Sequence, residues 1–103
     1  MGREQDIERI ALNYGYEAQS RQLIEEMAEL AVAVNKLWRL NAKTDSELYI
    51  SEKAECEMHI YEEIADVEIM LEQVKLLLNC GTKVEMIKDV KIKRQLERMR
   101  GDA

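Results

Sequence analysis

The sequence predicts an all-α fold, and three observations carry that expectation. The 103 residues contain no Pro and only four Gly, two of which, Gly2 and Gly101, sit near the ends. The chain is rich in Glu, Leu, Lys, Met and Ala, residues that lose little conformational freedom in a helix. Apolar positions recur with the 3.6-residue period of an amphipathic helix over long stretches. The length suits one domain spanning residues 1–103, since domains of about 100–150 residues are the commonest. The expected architecture is a bundle of four or five helices, its four-helix core completed by oligomerisation.

The first helix is expected over about Glu4–Asn13, ending at Tyr14-Gly15, where a glycine can take the backbone angles that stop a helix. The second is expected over Tyr16–Asn41. Thr44-Asp-Ser-Glu47 then has the spacing of a capping box, in which the Thr hydroxyl and the Glu carboxylate satisfy free backbone N–H groups. A third segment runs from there to Asn79, with a candidate break near Ser51, before Cys80-Gly81. Thr82-Lys-Val-Glu85 is a second capping box and opens a basic C-terminal helix.

Charge and composition exclude several function classes. The formal net charge is −6, against what a dedicated nucleic-acid binder carries. That total is uneven: residues 83–100 hold seven Lys/Arg against three acids, +4, which leaves −10 on the rest. No apolar run is long enough to span a bilayer, and Met1 leads into a polar stretch, so neither membrane nor nucleic acid is expected as a partner. Cys56 and Cys80 form no CxxC pair and read as reduced apolar fillers in a cytoplasmic protein.

Helical projection locates the acids. With Glu26 at 0° and 100° per residue, Leu23, Ile24, Met27, Leu30, Ala31, Val34, Leu37 and Trp38 fall between about 20° and about 160°, an apolar stripe expected to form core. Glu26, Glu29 and Glu25 lie beside it, with Gln22, Ala33, Lys36 and Leu40. With Glu63 at 0°, the third segment has one apolar sector at about 20–100°, containing Ile60, Ile64, Val67, Leu71, Val74 and Leu78, and a second at about 220–240°, containing Met58, Ile69 and Leu76. Glu63 and Asp66 fall between them, in an arc expected to be largely buried. A helix apolar around so much of its girth needs more cover than one small chain supplies, so a homodimer or homotetramer is expected.

Ionised carboxylates in such an arc are costly unless paired or bound to metal. The pairs Glu26/Glu29 and Glu63/Asp66 lie at i,i+3 on two helices that can face each other, and Lys36 is the only base on those stripes. Spacing alone does not separate metal ligands from a solvated acidic face; the apolar surroundings weigh toward a site. All-oxygen ligation favours Mg²⁺, with Mn²⁺ as a substitute.

Leu23-Ile-Glu-Glu-Met-Ala-Glu-Leu30 resembles the EExxE element of the MazG-like nucleotide pyrophosphohydrolases, and Tyr61-Glu-Glu-Ile-Ala-Asp-Val-Glu-Ile-Met70 resembles their ExxD element. The resemblance spans about residues 14–98 and implies an all-α nucleoside triphosphate pyrophosphatase that releases nucleoside monophosphate and pyrophosphate. It implies Glu26, Glu29, Glu63 and Asp66 as metal ligands. Glu25 and Glu62 match the additional acids of the two elements, with ligand, supporting or general-base roles left open. Lys91 and Arg94 on the basic helix resemble a Lys/Arg pair that follows the ExxD helix in relatives, and would reach substrate phosphates; a solvated, dipole-favoured helix end is the plainer reading of the same residues. Lys36 is a comparable phosphate contact. Trp38 reads as core first and as a nucleobase platform second. His59, four residues before Glu63, reads as a hydrogen-bonded neighbour ahead of a ligand. Two further function classes stay open on sequence: a non-catalytic helical interaction module, and a regulatory nucleotide-binding protein that keeps the metal site.

Overall fold

The structure, a computed structural model, describes residues 2–42 and 49–101. Those residues form helices α1 (Arg3–Tyr14), α2 (Tyr16–Asn41), α3 (Tyr49–Leu78) and α4 (Gly81–Met99), with no strand among them. The all-α expectation is met. The capping box at Thr44–Glu47 lies outside the described residues, and α3 runs through Ser51 without the break considered there.

α1 carries Glu4 and Asp6 in its first turn, where they oppose the partial positive charge of the unbonded N–H groups. It ends at Gly15, whose φ of 87° lies in a region closed to side chains with a Cβ. Gly15 donates its N–H to the Ala11 carbonyl at 2.8 Å and accepts from Gln19 N–H at 3.1 Å, so one glycine ends α1 and starts α2.

The turn between α3 and α4 differs from the glycine stop expected there. Asn79, with φ 52°, takes the left-handed position instead. Its N–H reaches the Leu76 carbonyl and that of Cys80 reaches Lys75, each at 3.1 Å. This is a Schellman closure, and asparagine tolerates it because its short polar side chain permits left-handed backbone. Gly81 becomes the first residue of α4, capped by Cys80 without a side-chain bond, so the Thr82 box does not set the start of the helix.

α2 and α3 form an antiparallel hairpin. Gln19 meets Gln73, Glu26 and Glu29 meet Glu63, and the Tyr49 hydroxyl donates to Asn41 Oδ1 at 2.8 Å. α1 folds back onto the hairpin, chiefly onto α3, and buries Ile7 and Ala11. α4 buries none of its residues and packs closely on none of the other helices.

The seam between α2 and α3 overturns one expectation. Only the near edge of the apolar stripe of α2 approaches α3: Leu23, Leu30 and Leu37 are half-buried, whereas Ile24, Met27, Val34 and Trp38 are exposed, and Gln19 and Ala33 are buried with Glu26 half-buried. Ala33 is small enough to let the two backbones approach, and the acid-bearing arc is the one that meets α3. Within the seam Gln19 Nε2 donates to Gln73 Oε1 at 2.7 Å, and Gln73, only 2% exposed, turns its own amide N–H toward Met70 Sδ at 3.6 Å. Cys56 and Cys80 are free and half-buried.

Candidate metal centre

Three carboxylates converge where α2 and α3 face each other. Glu26, Glu29 and Glu63 each offer an oxygen within 4.8 Å of the others. The i,i+3 spacing puts Glu26 and Glu29 one turn apart on α2, and the antiparallel pairing brings Glu63 of α3 opposite them. Glu63 is the deepest, at 8% exposure, Glu26 is half-buried and Glu29 lies at the mouth.

Each of the two deeper acids has one oxygen occupied and one free. Gln22 Nε2 donates to Glu26 Oε1 at 2.8 Å, and His59 Nε2 lies 3.2 Å from Glu63 Oε1. The Oε2 atoms of Glu26 and Glu63 are buried without a hydrogen-bond partner. Among the described residues no Lys or Arg forms an ion pair with any of the three. The Glu26 carboxylate raises the Glu29 pKa above its ordinary 4.5, with desolvation, Glu63 and Glu25 adding to the same direction. Like charges this close, with two buried oxygens lacking donors, are the arrangement a cation relieves. The donor set, carboxylate oxygen throughout, suits a hard ion such as Mg²⁺.

A shallow hollow of 290 Å³ opens over the cluster, lined by Ala28, Glu29, Val32, His59 and Glu63. A larger one, 780 Å³, is lined by Lys36, Arg39, Leu40, Ala42, Glu52, Glu55, Cys56 and His59. His59 borders both, so a basic pair lies next to the acidic cluster. Lys36 therefore lines a hollow that adjoins the cluster. Arg39 was missed, and the available signal was its place one helical turn beyond Lys36. A third hollow, 410 Å³ between α1 and the α3–α4 turn, holds no such cluster.

The other expected site residues stand apart from the cluster. Asp66 is exposed rather than buried, and its carboxylate lies outside the three-acid group. At about 300° from Glu63 it sits on the shoulder of α3, one turn along the helix. Glu25 and Glu62 are exposed beside their motifs. Trp38 is exposed, not core, and lines neither hollow near the cluster. Lys91 and Arg94 are exposed on α4 and line neither of them.

The chain matches no protein-family model, no curated protein and no solved structure. The MazG-like resemblance therefore rests on the two acidic elements themselves.

Proposed function

We propose that this protein is a divalent-cation-dependent nucleoside triphosphate pyrophosphohydrolase, cleaving its substrate to nucleoside monophosphate and pyrophosphate. The observation that supports the reading is the convergence of Glu26, Glu29 and Glu63 with two buried, undonated carboxylate oxygens. A solvated acidic face has no reason to bury such atoms, because each costs roughly 1–3 kcal/mol or more when left without a partner.

In this reading Glu26, Glu29 and Glu63 hold Mg²⁺, with Mn²⁺ as a substitute, and the resemblance adds Asp66 as a fourth ligand position. The bound cation supplies charge neutralisation at phosphate oxygens and lowers the pKa of an attacking water. Glu63, turned from α3 toward α2 and contacted by His59, fixes the depth of the site, and Glu29 at the mouth meets the incoming triphosphate. Lys36 and Arg39 bind the remaining phosphate charge from the adjoining hollow, an arginine fork being suited to two phosphate oxygens at once. No protein nucleophile is required. Glu25 and Glu62 remain candidates for general base by the resemblance.

Incubating the protein with a panel of nucleoside triphosphates, with and without Mg²⁺, and measuring pyrophosphate tests the proposal. Pyrophosphate and monophosphate appearing together, only with the cation, are expected. No product from any triphosphate would defeat the hydrolase reading.

A further inference from the structure

The four acids expected as ligands differ in what stands one helical turn before them. Glu26 is preceded at i−4 by Gln22 and Glu63 by His59, both N–H donors. Glu29 and Asp66 are preceded by Glu25 and Glu62, which as carboxylates have no proton to donate. Residues four apart on a helix are neighbours, so each donor reaches its acid within its own helix. Burial follows the same division. Glu63 is buried and Glu26 half-buried, whereas Glu29 and Asp66 are exposed.

In each deep acid the donor takes one carboxylate oxygen and leaves the other bare. Gln22 Nε2 donates to Glu26 Oε1 at 2.8 Å, and His59 Nε2 stands 3.2 Å from Glu63 Oε1. Oε2 of each acid is buried without a partner. Because α2 and α3 run antiparallel, donors placed four residues earlier on each helix stand at opposite ends of the cluster. Glu26 and Glu63 are thus held from two directions, each with a single oxygen left to turn to a cation. His59 does not join the group whose ligand atoms converge, so it acts on Glu63 and not on an ion.

We propose that Gln22 and His59 are positioning residues that present Glu26 and Glu63 to a divalent cation through one oxygen each, and so favour Mg²⁺ over Ca²⁺. The inference rests on the metal-site reading above and adds to it the residues that select the ion. Mg²⁺ demands near-octahedral ligands at about 2.0–2.1 Å and keeps several waters, which single-oxygen carboxylates allow. Ca²⁺ takes about 6–8 oxygens at longer distances and can be gripped by both oxygens of one carboxylate. A glutamate freed from its donor can swing to that two-oxygen grip. Hydrogen-bond partners of metal ligands are worth roughly 10–100-fold in metal affinity.

Calorimetric titration of Mg²⁺ and of Ca²⁺ into the full chain, without nucleotide, tests the proposal. Gln22→Leu and His59→Leu should each weaken Mg²⁺ binding by about tenfold or more and Ca²⁺ binding much less. The ratio of the two affinities therefore falls. Gln22→His and His59→Gln each restore a donor at i−4, in the arrangement the other helix already uses. Both should keep the Mg²⁺ affinity and the ratio near those of the wild type. A wild type that binds Mg²⁺, with unchanged ratios in both leucine variants, would overturn the proposal and leave the metal site standing. So would equal losses for the two ions, or a failure of both donor exchanges to restore Mg²⁺ binding. A wild-type chain that binds neither ion would remove the metal-site reading and this inference with it.

Discussion

The two flanks of α2 carry opposite liabilities. One turns Gln19, Glu26 and Ala33 against α3 and buries carboxylate oxygens without donors. The other leaves Ile24, Val34 and Trp38 in water. By hydrophobicity alone the assignments would be reversed. Burying a charged group unpaired costs several kcal/mol, and exposing apolar surface costs about 25 cal/mol per Å². Neither cost makes sense for a finished, isolated chain. Both disappear if something binds on each side, a cation on the polar flank and another helix pair on the apolar one. The difference teaches that a polar seam inside a small helical hairpin points to a ligand, and a bare apolar stripe on the same helix points to a partner.

The strongest way to break the contrast is chemical. Glu63→Gln and Glu26→Gln should reduce Mg²⁺-dependent pyrophosphate release by about a hundredfold or more, because each removes a charge that would hold the cation at the scissile phosphate. Steady-state rates on folded variants measure this, and wild-type turnover in Glu63→Gln would separate the cluster from catalysis.

A smaller effect should follow from the neutral part of the same seam. Gln19→Ala leaves the Gln73 amide, almost fully buried, without its partner and should lower stability by about 1–3 kcal/mol in denaturant titrations. Replacing both glutamines by leucine should cost much less, since no polar group is then stranded. Equal losses would mean that the seam depends on packing volume and not on the amide pair.

Proton uptake sharpens the polar flank further. The folded chain raises the Glu29 pKa above 4.5, so the cation-free folded state binds that proton more tightly than the unfolded chain does. Glu29 therefore contributes a destabilisation that is absent below pH 4.5, grows as pH rises through the raised value and is complete above it. Melting without divalent ions should show the wild type losing stability over that window relative to Glu29→Gln. Parallel pH profiles would remove the electrostatic strain from the account.

The smallest effects belong to acids on the solvated side of α3. Glu68→Gln and Glu72→Gln, both exposed, should change stability by no more than about half a kcal/mol and leave turnover almost intact.

Much of the fold was legible because helix period and stop residues are local. The ends of α1 and α2 follow from Gly15 and from the periodicity up to Asn41. The α3–α4 turn was placed within two residues, though the left-handed position fell to Asn79 because asparagine and glycine compete for it and the two candidates, Asn79 and Gly81, lay two residues apart. The meeting of Glu26, Glu29 and Glu63 was also legible, since helical angles put these acids on arcs that two antiparallel helices can share. What the angles do not carry is which arc of α2 meets α3. A single chain can bury either flank, and the choice turns on Ala33, the Gln19–Gln73 bond and the area left for a partner. The exposure of Asp66 was equally hidden, because a projection gives an angle on α3 and not the cover that neighbouring helices supply there. Arg39 was missed for a related reason: it lies off the Glu29 stripe, and only the hollow where α2 leads on to α3 sets it beside Lys36.

Thermal melting of the wild type and Glu63→Gln, each with and without Mg²⁺, tests the central claim most directly. A cation bound only by the folded state stabilises it by about 2.7 kcal/mol at a hundred times its dissociation constant. The account predicts a wild-type melting temperature that rises with Mg²⁺, and a Glu63→Gln protein that melts higher than the wild type without the ion and responds little to it. A wild-type melting temperature indifferent to both Mg²⁺ and Mn²⁺, together with an unchanged Glu63→Gln, would contradict a metal site between α2 and α3.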